Sequence, residues 1–246
     1  MLIEPLYQGL QELRLRGMAR ALAAGQQHAE QREWGFTERL AILIDAEQSE
    51  RRNHRYVQRL RWAKFSQTAS LEELDTRTPR GLNGALIKQL STMGFIADHR
   101  NVLITGPTGV GKSYLACALG QRACRDDYSV RYLRIPRLIE ELLRATALQK
   151  KSGLFKTLSK TALLVIDDFG LTPMSDTIKR DLLEILDDRF DRSSTIIGSQ
   201  IPIAQWHAHL DDPTLADAIL DRVVHNAYKI ELTGDSQRRK KALDMP

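Results

Sequence analysis

The residues with the clearest chemical potential stand together in a glycine-rich segment. Residues 106–113 read GPTGVGKS and match the pattern GxxxxGKS, between the apolar run NVLIT and the helical pattern SYLACALGQRAC. Glycines let the backbone turn tightly and direct N–H groups at phosphate oxygens, and the following helix adds the positive end of its dipole. The lysine would bind the β and γ phosphates of a nucleotide, and the serine hydroxyl would bind Mg²⁺. A glycine-rich turn without a ligand is the alternative, which the flanking strand and helix disfavour. The candidate phosphate-binding residues are Gly106, Pro107, Thr108, Gly109, Val110, Gly111, Lys112 and Ser113.

Two carboxylates supply the second half of this candidate site. Asp167 and Asp168 follow the apolar run LLVI, which predicts a buried central strand with acids at its carboxyl end. Open α/β sheets bind their ligands at that end. Asp167 is placed to hold Mg²⁺ through water, and Asp168 to polarise an attacking water. An ordinary turn is the alternative, and it is disfavoured because a phosphate-binding segment precedes the pair in the chain.

Hydrophobic patterns indicate the elements that must position these residues. From residue 101 onward, short apolar runs alternate with helical patterns, which predicts an α/β fold with a parallel five-stranded sheet flanked by helices. The first third has apolar residues at helical spacing and predicts a small all-helical domain. Ser70 and Glu73 form a capping-box pattern that predicts a short helix, and residues 78–81 predict a turn. The predicted domains are 1–66, 67–100 (a linker with short helices) and 101–246, and the predicted strands are 102–105, 130–135, 162–166, 195–198 and 229–232.

Composition bounds the class of protein. The 246 residues are 42% hydrophobic and 27% charged, which is typical of a globular protein. Two cysteines exclude a disulfide scaffold. On one helix Cys117 and Cys124 would lie about 10 Å apart, too far for a disulfide, so we expect both to be reduced. Neither a signal peptide nor a membrane span is evident in the sequence, and we expect a soluble cytoplasmic protein without a membrane partner.

The net charge of +5 is unevenly distributed. Residues 51–64 hold six basic side chains and no acidic one. On a helical wheel the members of one face span about a third of the circumference, which suits contacts with the phosphates of duplex DNA. A solvated helix face is the alternative, and it is the preferred interpretation of a charge run taken by itself. That basic face consists of Arg51, Arg52, Arg55, Arg59 and Trp62, and a second basic set between the second and third predicted strands includes Lys150 and Lys151.

Several longer segments carry a family resemblance. They are YQGLQELRLRGMARAL, NVLITGPTGVGKS, LLVIDDFGL, SQIPIAQWH, LADAILDRVVHN and GDSQRR. With these segments the chain resembles AAA+ ATPases of the initiator/helicase-loader clade, and it is most similar to the IstB-like helper ATPases of bacterial insertion sequences. The resemblance implies an AAA+ fold with a reduced lid, ATP and Mg²⁺ as cofactors, and self-association into a ring or spiral on DNA. It also implies a partner transposase that is helped to select and engage target DNA.

The same resemblance implies roles for individual residues. Residues 106–113 match the Walker A loop, and Asp167 and Asp168 match the Walker B acids. Arg222 matches the arginine finger that reaches the ATP of a neighbouring subunit, with a helix-end salt bridge to Asp221 or Asp217 as the alternative. The sensor-1 region is represented by Ser199 or Gln200, and sensor 2 by Arg238, for which a solvated basic tail is the alternative. The resemblance also shifts the interpretation of the basic face toward DNA, and it implies that Lys150 and Lys151, at the turn of an extra helical element that faces the central channel, are a second DNA contact.

Three other functions stay open at this point. A replicative helicase loader would share the same ATPase core. A nucleotide-gated DNA scaffold with little hydrolysis is conceivable because Asp168 stands where many AAA+ proteins have the longer Glu. A metabolite kinase would use the same phosphate loop, but the basic helix and Arg222 argue against it.

Overall fold

The computed structural model describes residues 3–25, 34–75 and 81–237. The chain divides into two compact units, Met1–Gln58 and Arg59–Pro246. The helical unit contains α1 (Ile3–Glu12), α2 (Arg16–Gly25) and most of α3 (Phe36–Ala63), whose last residues belong to the second unit. The boundaries proposed at residues 66 and 100 stay predictions.

A glycine and a glutamate join α2 to α3 within the helical unit. A Cβ on Gly17 would lie 2.5 Å from the carbonyl oxygen of Ala46, so only glycine permits this approach. Glu47 is buried, and its carboxylate accepts hydrogen bonds from the N–H groups of Gly17 (2.8 Å) and Met18 (3.3 Å). It therefore caps the first turn of α2, where the helix dipole favours a negative charge. A third donor, Arg51 Nε, lies 2.7 Å from Glu47 Oε1, and this hydrogen bond is the main reason that the pKa of Glu47 is lowered.

The second unit is built on a parallel five-stranded sheet in the order β2-β3-β4-β1-β5. The predicted sheet is confirmed, because the ends of each strand lie within three residues of an apolar run identified from the sequence. Its strands are β1 (Asn101–Thr105), β2 (Val130–Arg134), β3 (Leu163–Phe169), β4 (Ser194–Ser199) and β5 (Ala227–Glu231). The helices are α4 (Gly84–Ser91), α5 (Gly94–Ala97), α6 (Lys112–Arg125), α7 (Ile135–Ala147), α8 (Lys151–Lys160), α9 (Asp176–Arg189), α10 (Trp206–Leu210) and α11 (Pro213–Val224), with a 3₁₀ turn at Ile203–Gln205.

The short helix expected from Ser70 and Glu73 is wrong. Residues 66–75 form bends and a turn. The side chains that would cap a helix have other partners, because the Ser70 hydroxyl donates to the Glu72 carboxylate and Glu73 Oε2 accepts from Tyr114 Oη at 3.2 Å. A local capping pattern has been overridden by contacts with α6. Most of the turn predicted at 78–81 lies outside the described residues.

The sheet is covered on both faces, as the continuous apolar runs predict. Every residue of β1 and β4 is buried, and Trp206 packs against Phe169 with ring centroids 4.7 Å apart. Cys117 and Cys124 are buried free thiols in α6, which confirms the reduced state. Within the described ranges, no helix has both the length and the apolar character that crossing a bilayer requires.

Candidate nucleotide site and basic surfaces

The phosphate loop connects the carboxyl end of β1 to the first turn of α6. Two of its glycines have positive φ and also face neighbouring chain closely. A Cβ would lie 2.1 Å from the carbonyl oxygen of Leu232 at Gly106 (φ 143°) and 2.3 Å from Ser236 Oγ at Gly109 (φ 86°). The loop conformation therefore depends on glycine for two reasons, backbone geometry and space.

Lys112 is the first residue of α6 and is buried. Its Nζ donates to the carbonyl oxygens of Gly106 and Pro107, each at 2.7 Å. The ammonium group therefore lies against the loop, at the amino end of a helix whose dipole attracts anions. Ser113 follows in the same turn and is half-buried. This arrangement suits the triphosphate of a nucleotide.

The acids lie at the same edge of the sheet, because β4 separates β3 from β1 and all three strands are parallel. Asp167 is only 1% exposed. Its Oδ2 accepts from Tyr132 Oη at 2.7 Å, and its Oδ1 accepts from the N–H of Asp168 at 3.0 Å. Burial and the neighbouring Asp167 charge raise the pKa of Tyr132, so this phenol stays a donor. Gly198 of β4 gives the carboxylate room, since a Cβ there would lie 2.4 Å from Asp167 Oδ1.

These groups fit a magnesium ion. Mg²⁺ is usually held by one or two carboxylates, water and substrate phosphates rather than by a cage of protein ligands. Each carboxylate oxygen of Asp167 keeps a further lone pair after its hydrogen bond. Among the residues that the structure describes, no cluster of three or more His, Cys, Asp or Glu could hold a metal. Ser113 and Asp167 would therefore hold the ion together with nucleotide phosphates.

Asp168 is held in an unusual position by an arginine that the sequence analysis missed. Its backbone is left-handed (φ 59°), and β3 has a register irregularity between Ile166 and Phe169. Its carboxylate pairs with Nε of Arg134, the last residue of β2, and this hydrogen bond raises the pKa of Arg134. Tyr132 and Arg134 are two residues apart in β2 and lie on the same face of the strand, so both candidate acids receive a partner from the neighbouring strand. Only the pairing of β2 with β3 identifies these partners.

The two candidates for sensor 1 are placed differently. Ser199 is fully buried, and its hydroxyl donates to the carbonyl of Phe169 (2.7 Å) and accepts from the N–H of Ile201 (3.1 Å). Gln200 instead reaches the phosphate loop, where Thr108 Oγ1 donates to its Oε1 at 2.6 Å. The geometry favours Gln200 as the side chain that would sense a phosphate.

The chain after β5 returns along the phosphate loop. The N–H of Leu232 donates to Thr105 (2.7 Å), and the N–H of Gln237 donates to Gly109 (2.9 Å). Arg238, the candidate sensor-2 residue, lies outside the described residues and stays a prediction. The segment that precedes it is nevertheless in contact with the loop.

Arg222 lies near the amino ends of the strands, opposite the ends that carry the phosphate loop and the two acids. Its carbonyl accepts from Nδ2 of Asn101, the first residue of β1, whereas the phosphate loop follows the last residue of that strand. At about 3.3 Å per residue the two ends of β1 are about 13 Å apart. The guanidinium contacts Asp187 (2.7 Å) and Asp221 (2.6 Å) and lies over the ring of Phe190. The helix-end salt bridge to Asp221, which was the alternative to an arginine finger, is thus present, and Arg222 does not face the phosphate loop of its own chain.

The basic face of α3 is divided between the two units. In the helical unit Arg51, Arg52 and Arg55 are exposed, and Arg51 is paired with Glu47. In the second unit Arg59 is 21% exposed and contacts Asp127 at 2.6 Å, while Trp62 is 41% exposed. Arg52 and Arg55 are therefore the stronger candidates for phosphate contacts, and the role of the whole face stays a prediction.

The two lysines of the second basic pair, Lys150 and Lys151, differ in their exposure and in their partners. Lys150 is exposed at the amino end of α8. Lys151 Nζ lies 2.5 Å from Oδ1 of the buried Asp181 and 5.3 Å from the centroid of the Phe155 ring. Asp181 therefore neutralises much of the Lys151 charge, and Lys150 is the better candidate for a contact with DNA.

The strand order, the phosphate loop after β1 and the acids at the end of β3 define an ATP-binding P-loop protein of the AAA+ class. The crystal structure of DnaI is similar, with a TM-score of 0.57 and 25% identity over 67% of this chain and 91% of that one. The DnaC helicase loader shares the fold, with a TM-score of 0.52 and 19% identity over 67% of this chain and 96% of that one.

Within that class, the chain belongs to the IstB-like ATP-binding protein family, whose profile matches residues 8–244. A putative insertion sequence ATP-binding protein, y4pL of Sinorhizobium fredii, is 46% identical over 239 residues, 97% of this chain and 98% of its own length. The family resemblance inferred from the sequence is confirmed.

Proposed function

We propose that this protein is an ATPase that assembles on duplex DNA in the bacterial cytoplasm and helps the transposase of its insertion sequence to select and engage target DNA. The observation that carries the proposal is the position of Arg222, near the amino ends of the strands and away from the phosphate loop at their carboxyl ends. A side chain in that position serves an ATP bound to another copy. Relatives named insertion sequence ATP-binding proteins support the transposase as a partner.

The chemistry assigned to this chain is phosphoryl transfer to water. Lys112 and the loop N–H groups bind the phosphates, and Gln200, which contacts Thr108 of the loop, is assigned to sense them. Asp168 polarises the attacking water once its carboxylate leaves Arg134. Magnesium, when bound by Ser113 and Asp167, neutralises phosphate charge.

Hydrolysis would depend on assembly because the site is completed by a neighbour. An arginine supplied to the transferring phosphoryl group contributes about 10³–10⁵ in rate. A head-to-tail interface, in which the loop of one subunit meets Arg222 of the next, generates a ring or a helical filament. Either form would surround or follow DNA, and Arg52 and Arg55 are available for contacts with its backbone.

A mixing experiment tests the shared site. Lys112→Ala removes the phosphate-binding ammonium, and Arg222→Ala removes the finger, so each variant alone should lose about 10³-fold in ATPase rate. In an equal mixture, about a quarter of the head-to-tail interfaces combine an intact loop with an intact finger, and activity should return in proportion. Arg180→Ala, which changes another exposed arginine of the same unit, is the control and should stay fully active. Absence of recovery at every mixing ratio would contradict the proposal.

A second experiment tests DNA binding. The double variant Arg52→Ala, Arg55→Ala should weaken binding to duplexes of any sequence and lower the slope of log K against log salt by about 2. Arg39→Ala changes an exposed arginine of α3 outside the basic face and should leave both unchanged. Equal affinity of the double variant and the wild type for duplex DNA would show that this face of α3 does not contact DNA.

The ion pair between Arg134 and Asp168 keeps a second candidate in view, a nucleotide-gated DNA scaffold that hydrolyses ATP slowly. The ATPase rate of the assembled protein on duplex DNA separates the two. Assembly that requires only ATP binding, with no rise in rate on DNA, would favour the scaffold.

A further inference from the structure

A buried tyrosine links the candidate metal carboxylate to the end of the long basic helix. Tyr132 is 5% exposed, and its hydroxyl donates to Asp167 Oδ2 while the N–H of Asp168 donates to Oδ1. Two donors on different oxygens fix the rotation of the carboxylate plane. The lone pairs that remain are therefore held in one direction, which is the requirement for a metal ligand.

The ring of Tyr132 is supported by the residue that closely follows α3. Phe65 lies 6.3 Å from Tyr132 between ring centroids, at an interplanar angle of 53°. It also packs on Gly120 of α6, where a Cβ would lie 2.5 Å from Phe65 Cε1. A glycine inside a helix is destabilising relative to alanine, and here its missing side chain leaves room for Phe65. Phe65 therefore contacts both the strand that carries Tyr132 and the helix that begins with Lys112.

The carboxyl end of α3 is attached to the same strand at neighbouring positions. Arg131 Nη1 donates to the carbonyl of Trp62 at 3.1 Å, and the guanidinium lies 5.9 Å from the centroid of the indole ring. Arg131 is itself held by Glu141 at 2.7 Å, and Arg59 pairs with Asp127 just before β2. The last turn of α3 and the metal carboxylate thus contact adjacent residues of one edge strand.

We propose that Tyr132 is a positioning residue for Asp167, and that Phe65 is the support through which the carboxyl end of α3 sets its orientation. A DNA duplex held by Arg52 and Arg55, on the helix that continues to Ala63, then strengthens the hold of the nucleotide site on its divalent ion. This coupling rests on the proposed function, because it takes DNA as the ligand of α3. By linkage, the divalent ion must strengthen DNA binding by the same factor.

The variant Tyr132→Phe tests the positioning role, since it removes one hydroxyl and keeps the ring against Phe65. Mn²⁺ affinity is measured by electron paramagnetic resonance with a non-hydrolysable ATP analogue, and metal-free nucleotide affinity by a fluorescent ATP. Loss of a hydrogen bond that orients a metal ligand lowers metal affinity by about 10–100-fold. We expect that loss, with metal-free nucleotide affinity unchanged, at a temperature at which thermal unfolding shows that both proteins are folded. Tyr128→Phe, a half-buried tyrosine just before β2, is the matched control.

The variant Phe65→Leu tests the support, since it keeps the Tyr132 hydroxyl. We expect the DNA-induced gain in Mn²⁺ affinity to disappear, together with the Mn²⁺-induced gain in duplex affinity. Unchanged Mn²⁺ affinity in Tyr132→Phe would overturn the positioning role, and an unchanged gain in Phe65→Leu would overturn the support. A wild type that binds no duplex would overturn the proposed function and the coupling, while the Mn²⁺ measurement would still decide the role of Tyr132.

Discussion

The variant Arg134→Gln measures how far the ion pair between Arg134 and Asp168 slows ATP hydrolysis. In Arg134→Gln the carboxylate no longer has a cationic neighbour on β2, so no pair has to open before it orients water. Arg134 is 59% exposed and Asp168 15%, so the pair is partly solvated and worth about 0.2–1 kcal/mol. That range corresponds to a gain of about 1.4- to 5-fold in kcat.

The assay is steady-state ATP hydrolysis on duplex DNA, with kcat and KM measured separately. The KM for ATP should stay constant, because Arg134 pairs with the acid rather than with the phosphate loop. Arg137→Gln is the control, since Arg137 is 58% exposed and pairs with Glu140 on the surface of α7. A fall in kcat for Arg134→Gln, with the control unaffected, would refute the reasoning and make Arg134 a contributor to the reaction.

Three further outcomes are expected. Asp168→Asn keeps a residue that tolerates the left-handed backbone but removes the charge, so ATP binding should persist while hydrolysis falls about 10²-fold or more. Glu47→Gln should lower the urea midpoint of the helical unit at pH 7. Because the pKa of Glu47 is lowered on folding, its stabilisation is full above about pH 4.5 and is lost as the pH falls through the folded pKa, so the two proteins should converge in acid. Arg189→Met leaves the backbone acceptors of Leu158 and Thr161 unpaired in the core, and should cost about 3 kcal/mol or more of unfolding free energy in denaturant titration.

The sequence predicted the parts of the fold that depend on local pattern. Continuous apolar runs identified all five strands because a sheet covered on both faces needs them, and the glycine-lysine spacing of residues 106–113 located the loop between β1 and α6. The acids after LLVI were placed correctly at the carboxyl end of β3. Their roles, like those of the other candidate site residues, stay predictions.

Features that depend on tertiary contacts could not be predicted in the same way. Tyr132 and Arg134 belong to a run that indicates a strand, and only the pairing of β2 with β3 brings them to the acids. Lys151 belongs to a basic pair in the sequence, yet Asp181 from α9 takes much of its charge. The capping pattern at Ser70 failed for the same reason, because α6 supplies a competing partner.

Because both native thiols are buried, neither should react with a fluorescent dye that is added to the folded protein. Cys117 and Cys124 are the two cysteines of the chain, and each is fully shielded from solvent. Burial raises the pKa of Cys124 to about 12 and also raises that of Cys117, so little of the reactive thiolate forms near neutral pH. A maleimide dye should therefore leave the folded wild type unlabelled. A single cysteine introduced by Ser236→Cys, beside Gly109, would then carry the only fluorophore and report nucleotide binding without removal of either native thiol.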